Sequence, residues 1–89
     1  MVTGTVTVLN EEGLHMRPAG AFCKAAQSYK NCEITIIHKG KRTNAKSVMA
    51  VMMAGIDYGS SPTLEVSGEN EQQVLDELTA MFENKFEQA

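Results

Sequence analysis

Apolar residues in this 89-residue chain recur at two different periods in alternating blocks, and that switching limits the fold more than any other feature. Val2-Thr3-Gly4-Thr5-Val6-Thr7-Val8 places Val2, Val6 and Val8 on one side and three threonines on the other, the mark of a strand with one wet face. After a polar loop over Asn10 to Gly13, Phe22, Ala25, Ala26 and Tyr29 repeat at helical spacing, which predicts a helix from about Met16 to Tyr29. Glu33 to His38 alternates again through Ile34 and Ile36. Lys39-Gly40 then turns the chain into Lys41-Arg42-Thr43-Asn44, completing a β-hairpin. Val48 to Ala54 follows Ser47 and is closed by Gly55, which predicts a short helix with a serine N-cap and a glycine stop. Asp57 to Pro62 reads as loop and Thr63 to Ser67 as a last strand. Val74, Leu75, Leu78, Met81, Phe82 and Phe86 line a final helix, capped by Asn70 with Gln73 three residues on and ending near Glu87.

The resulting order is βαββαβα. Strands with one apolar face and helices with one apolar stripe suit an α+β fold, a four-stranded antiparallel sheet covered by three helices on a single side. No repeat, linker or low-complexity tract divides the chain, so residues 1–89 are expected to be one domain. Such a chain can bury one core but cannot enclose a cleft between domains.

A formal net charge of −3, with no stripe of lysines and arginines, argues against nucleic acid as partner. No segment has the length of a membrane span, and the first residues do not form a signal peptide, so the expected compartment is the cytoplasm. Cys23 and Cys32 are too few for a disulfide framework and have no zinc-site spacing; both are expected to be reduced thiols, Cys23 in or near the core. His38 closes a strand beside Lys39 with no motif around it and is expected at the surface. Paired carboxylates, a nucleophile triad and a glycine-rich phosphate loop are not seen, and no metal or cofactor is expected.

Chemistry concentrates in Gly13-Leu14-His15-Met16-Arg17-Pro18-Ala19. Proline tolerates the first helical turn because its missing N–H has no partner there, so Pro18 fixes the helix entry and puts His15 at or beside the N-cap. A helix N-terminus presents unpaired N–H groups and the positive end of the macrodipole, a setting for phosphate. Arg17 adds a fixed positive charge, and the local field favours a neutral, nucleophilic imidazole. A histidine near a helix start is on its own more often a cap or a surface residue; the conjunction of glycine, histidine, arginine and proline is what makes the segment specific.

The second constellation is Val48-Met49-Ala50-Val51-Met52-Met53-Ala54, seven positions without a polar side chain. A short surface helix buries about half its circumference, so part of this run must face water or a partner. We expect Val51 inside and at least Met49 outside, in an adaptable docking patch of Val48, Met49 and Met52. Ser47 caps this helix. A phosphate on it would set about two negative charges beside the patch, an off switch ranked below simple capping on spacing alone.

These two segments, with Gly55 and Gly59 after them, resemble the HPr family, the histidine-containing phosphocarriers of the bacterial sugar phosphotransferase system, over nearly the whole chain. The resemblance implies an open-faced β-sandwich of four antiparallel strands and three helices. It implies that His15 accepts phosphate on Nδ1 from enzyme I and passes it to sugar-specific enzyme IIA domains, as a stoichiometric carrier rather than an enzyme. Arg17 would assist, with the backbone N–H groups of Met16 and Arg17 holding the transferred group. Ser47 matches the serine phosphorylated by an ATP-dependent HPr kinase/phosphorylase, a modification that slows uptake at His15 and promotes binding to a catabolite-control transcription factor. Docking would use Gly20, Val48, Met49 and Met52, with Lys24 contacting acidic partner surfaces, and the carrier would be a monomer. Met16 stands where the family has Ala or Thr, Gly20 where it has Thr or Ala, and the segment between Tyr29 and Gly40 is one residue longer. Gly20 weakens the helix by roughly 0.5 to 1 kcal/mol relative to alanine. The competing readings are a regulatory homologue acting through Ser47 alone, a nitrogen-branch phosphocarrier, and an α/β module that senses a small molecule.

Overall fold

The computed structural model describes residues 1–9, 11, 13, 14 and 16–84. Seven elements follow one another: β1 (Val2–Thr5), α1 (Met16–Ser28), β2 (Cys32–His38), β3 (Lys41–Asn44), α2 (Val48–Met53), β4 (Thr63–Gly68) and α3 (Glu71–Glu83). The strands form one sheet in the order β1-β4-β2-β3, every neighbouring pair antiparallel. Register follows the apolar alternation, with Ile34 opposite Val66 and Ile36 opposite Leu64, all four buried. One core gathers these residues with Ala19, Phe22, Cys23 and Ala26 of α1, Val51 of α2, and Val74, Leu75, Leu78 and Phe82 of α3. The rings of Phe22 and Phe82 meet edge to face, 5.3 Å between centroids, and join the first helix to the last. The opposite face of the sheet is polar and open, crossed by an ion pair between Arg42 and Glu65. This is the four-stranded, three-helix arrangement expected from the periodicity.

The differences from the sequence reading have local causes. The first ladder stops at Thr5, yet Val6 and Val8 remain buried and donate to the carbonyls of Pro62 (3.0 Å) and Ser60 (2.9 Å). Pro62 has no N–H to return the bond, so regular pairing cannot extend past it. Gly4 lies on the inner face, where an added Cβ would meet the Leu75 side chain at 3.3 Å, so its lack of a side chain lets α3 approach β1.

His38 is not at the surface: it is 9% exposed. Counting by twos along β2 puts it on the inward face with Ile34 and Ile36, a consequence of strand geometry that its charged neighbour obscured. Cys32 shares that face and is buried as fully as the core requires; its Sγ donates to the Glu69 carbonyl at 3.1 Å. Both cysteines are free thiols.

Asn70 occupies the N-cap of α3 but makes no side-chain capping bond, because its left-handed backbone (φ 55°) turns the side chain away from the helix N–H groups. Glu71 takes over at this corner. Its carboxylate pairs with the Met1 ammonium at 2.6 Å and accepts from the Gly68 N–H at 3.3 Å; the ammonium first, then the Gly68 N–H, hold its pKa below the usual carboxylate value. Gln73, expected to complete the cap, instead donates to Glu77 one turn on. The helix ends at Glu83, capped by Asn84, short of the expected end near Glu87; Phe86 lies outside the described residues. Among the described residues no helix is long and apolar enough to cross a membrane.

Candidate functional site

His15 itself lies outside the described residues, between Leu14 and the first residue of α1, Met16. Leu14 is 1% exposed and its N–H donates to the Ile56 carbonyl at 2.8 Å. Gly13 precedes it with φ 67°, and an added Cβ would stand 2.7 Å from the Ile56 oxygen and 2.9 Å from Asp57 Cα, so only glycine fits this crossing. On the other side Met16 is the first residue of α1, with Pro18 buried in the first turn, the position its ring permits.

The opening turn of α1 carries no acidic side chain. The first N–H groups of an α-helix have no intrahelical carbonyl to receive them, and the positive end of the helix dipole lies at Met16 and Arg17. Arg17 is exposed and makes no hydrogen bond or ion pair with the described residues, leaving its guanidinium available to an incoming anion. Met16 is 73% exposed at the same helix start.

α1 and α2 pack against each other and share one surface. Arg17, Gly20 and Lys24 fall at spacings of three and four and so form a stripe on α1. Lys24 is exposed, and the space where a Gly20 Cβ would stand is open to 4 Å. On α2, Val51 is fully buried and Met49 is 71% exposed, as the run of apolar residues implied. Val48 lies at the edge of exposure. Met52 departs from the expected patch, since it is half-buried and packs on the core; Met53, passed over in the sequence, is 76% exposed. Its signal was the i,i+4 relation to Met49, which places both on one face.

Ser47 is half-buried at the N-cap of α2, its Oγ accepting the Ala50 N–H at 3.3 Å and its carbonyl accepting the Val51 N–H at 3.0 Å. Two cavities lined by described residues lie elsewhere. One, of about 210 Å³, sits between the end of α1 and the start of α3 around Tyr29, Cys32, Glu69 and Glu77; the other lies along Glu33, Thr35, Arg42 and Asn44.

A family model described as the PTS HPr component phosphorylation site matches residues 2–84. The chain belongs to the HPr family. Phosphocarrier protein HPr of Treponema pallidum is 40% identical over 88 residues, covering 99% of each chain. A crystal structure of HPr from Thermoanaerobacter tengcongensis superposes with a TM-score of 0.92 at 32% identity over all of both chains. Crh, the catabolite repression HPr of Bacillus subtilis, is 34% identical and superposes with a TM-score of 0.74, covering 99% of this chain and 100% of that one, in a crystal structure described as a swapped dimer. Family membership makes this a phosphocarrier fold of the phosphotransferase system.

Proposed function

We propose that the chain carries a phosphoryl group on His15, taken from phospho-enzyme I and given to enzyme IIA domains during sugar uptake. The observation that carries this reading is the start of α1 at Met16, directly after His15, with an exposed Arg17 and no acidic residue in the first turn. A lone pair on His15 Nδ1 forms the new N–P bond as the N–P bond to the donor histidine breaks, and its electron pair stays with the leaving imidazole. The Met16 and Arg17 amides and the Arg17 guanidinium receive the charge spread over the phosphoryl oxygens, so the work is positioning and electrostatic stabilisation. An exposed site suits a carrier, because the phosphoramidate has to stay reactive toward the next protein. Gly20, Lys24, Val48 and Met49 form the docking surface in this proposal, joined by Met53, while Met52 supports it from below. The chain acts as one domain and as a monomer in the cytoplasm, without metal or cofactor.

Ser47 is the proposed regulatory site, phosphorylated by an ATP-dependent HPr kinase/phosphorylase, which slows uptake at His15 and favours a catabolite-control transcription factor. The likeness to Crh supports a second reading, a regulator acting through Ser47 alone, against which the retained His15 counts.

Intact-mass spectrometry after incubation with phosphoenolpyruvate and enzyme I separates the two. One acid-labile phosphate on the wild type and none on His15→Ala is the expected result, with Arg17→Ala slowed about a hundredfold, the usual scale for removing one charge-stabilising donor. No addition to the wild type, with enzyme I active on another HPr, would overturn the carrier reading and put regulation first.

A further inference from the structure

Lys46, directly before Ser47, has every one of its polar backbone and side-chain groups engaged. Its N–H donates to Asn44 Oδ1 at 3.0 Å, and its carbonyl accepts from Gln27 Nε2 at 2.8 Å. Its ammonium donates to the carbonyls of Tyr29 (2.9 Å) and Cys32 (2.7 Å), where α1 ends and β2 begins. A cation is favoured just past a helix C-terminus, where the dipole is negative, and the Tyr29 carbonyl takes the ammonium in addition to the Cys32 N–H at 3.2 Å. The turn that delivers Ser47 is therefore held at three points, by Gln27 in the last turn of α1, by Tyr29 just after it and by Cys32 at the start of β2. It is also tied to the sheet through the Ala45 N–H on the Ile34 carbonyl at 3.0 Å and closed by the Ser47 N–H on the Asn44 carbonyl at 3.1 Å. The Ser47 hydroxyl, by contrast, has a single long contact, as acceptor from Ala50 at 3.3 Å. Fixed backbone and loosely held oxygen is the arrangement that phosphoryl transfer to serine asks for.

We propose that Lys46, with Gln27, is a positioning clamp for phosphorylation of Ser47. The inference rests on the regulatory reading of Ser47 given above and adds how the fold presents that residue. In the transfer, an Oγ lone pair forms the O–P bond to the γ-phosphorus of a nucleoside triphosphate, the bond to the β,γ-bridging oxygen breaks, the nucleoside diphosphate leaves, and the Oγ proton passes to a base of the kinase. In-line attack tolerates little displacement of the acceptor oxygen. Because the Lys46 ammonium is spent on the Tyr29 and Cys32 carbonyls, it acts through the backbone and not as a counter-ion to the phosphate.

The test is Ser47 phosphorylation kinetics with ATP and an HPr kinase/phosphorylase for wild type, Lys46→Met, Lys46→Arg and Gln27→Leu. Uptake at His15 from phospho-enzyme I is followed in parallel, and all assays run below each variant's melting temperature. Lys46→Met is expected to lower kcat at Ser47 roughly ten- to a hundredfold with KM little changed, the cost of a misplaced acceptor. Lys46→Arg, still able to donate to both carbonyls, should recover most of it. Gln27→Leu, which alters no charge, should fall in the same direction, and should do so even if Lys46→Met fails to fold. All should keep wild-type uptake at His15. An unchanged kcat in Gln27→Leu and in Lys46→Met overturns the clamp, as does an effect confined to KM that added salt reproduces in the wild type. A wild type labelled at His15 but never at Ser47 removes the regulatory reading itself and the clamp with it.

Discussion

The Leu14 N–H bonds to the Ile56 carbonyl at 2.8 Å, tying the turn ahead of α1 to the strand of chain that leaves α2. Both side chains are 1% exposed, so the bond sits over a filled core and not in solvent. The same two stretches meet again where the Gly59 N–H donates to Val8 (2.9 Å) and the Val8 N–H to Ser60 (2.9 Å). Leu14, next to the start of α1, is therefore held by the segment after α2.

Gly13 allows that crossing. Gly13→Ala forces a Cβ against the Ile56 oxygen at 2.7 Å while keeping φ at 67°, and is expected to cost about 1–3 kcal/mol and to slow labelling of His15. Gly40→Ala is the control: its φ is 80° but the space around it is open, so only conformational strain of about 1 kcal/mol remains, with His15 labelling unchanged. Urea unfolding with mass-spectrometric labelling rates reads both; equal costs at the two positions would contradict the close contact.

Stability should fall in alkali. Burial pushes the Cys23 thiol from 9.0 up to about 11, and burial followed by the hydrogen bond and charge of Glu77 pushes Tyr29 from 10.0 up to about 12. Between pH 9 and 11 the unfolded chain has lost the Cys23 proton that the folded protein retains, so unfolding gains as pH rises; Tyr29 extends the effect toward pH 12. Urea midpoints that decline from pH 8 to 10.5, less steeply in Cys23→Ala, are expected. A flat profile in the wild type would contradict the burial of both groups. Cys23 should also resist alkylation at pH 8 until the protein unfolds.

Met49 and Met53 separate docking from folding. Both are more than 70% exposed, so Met49→Lys and Met53→Lys should leave stability within about 0.5 kcal/mol while raising KM for transfer with enzyme I or an enzyme IIA domain. Met52→Ala should do the reverse in part, costing about 1 to 2 kcal/mol because it packs on the core. Thermal unfolding and steady-state transfer with each partner measure the two effects; unchanged KM in both lysine variants would remove α2 from the docking surface.

The sequence by itself determined the element order and the antiparallel sheet with a covered and an open face. It could do so because period two and helical spacing are properties of consecutive residues, and because Pro18, Ser47 and Gly55 act within a turn of where they stand. It determined the burial of Val51 and the exposure of Met49 on the same grounds. His38 was open to the same count by twos along β2, and its charged neighbour masked the answer. What only the tertiary structure decided depends on residues far apart in the chain. Pro62 ends the pairing of β1, the Met1 ammonium pairs with Glu71 at the corner where Asn70 was expected to cap, and the core claims Met52 while leaving Met53 outside. The anchoring of Leu14 on Ile56 and of Lys46 on the Tyr29 and Cys32 carbonyls belongs to the same class, since no local pattern announces which carbonyl a distant N–H will find.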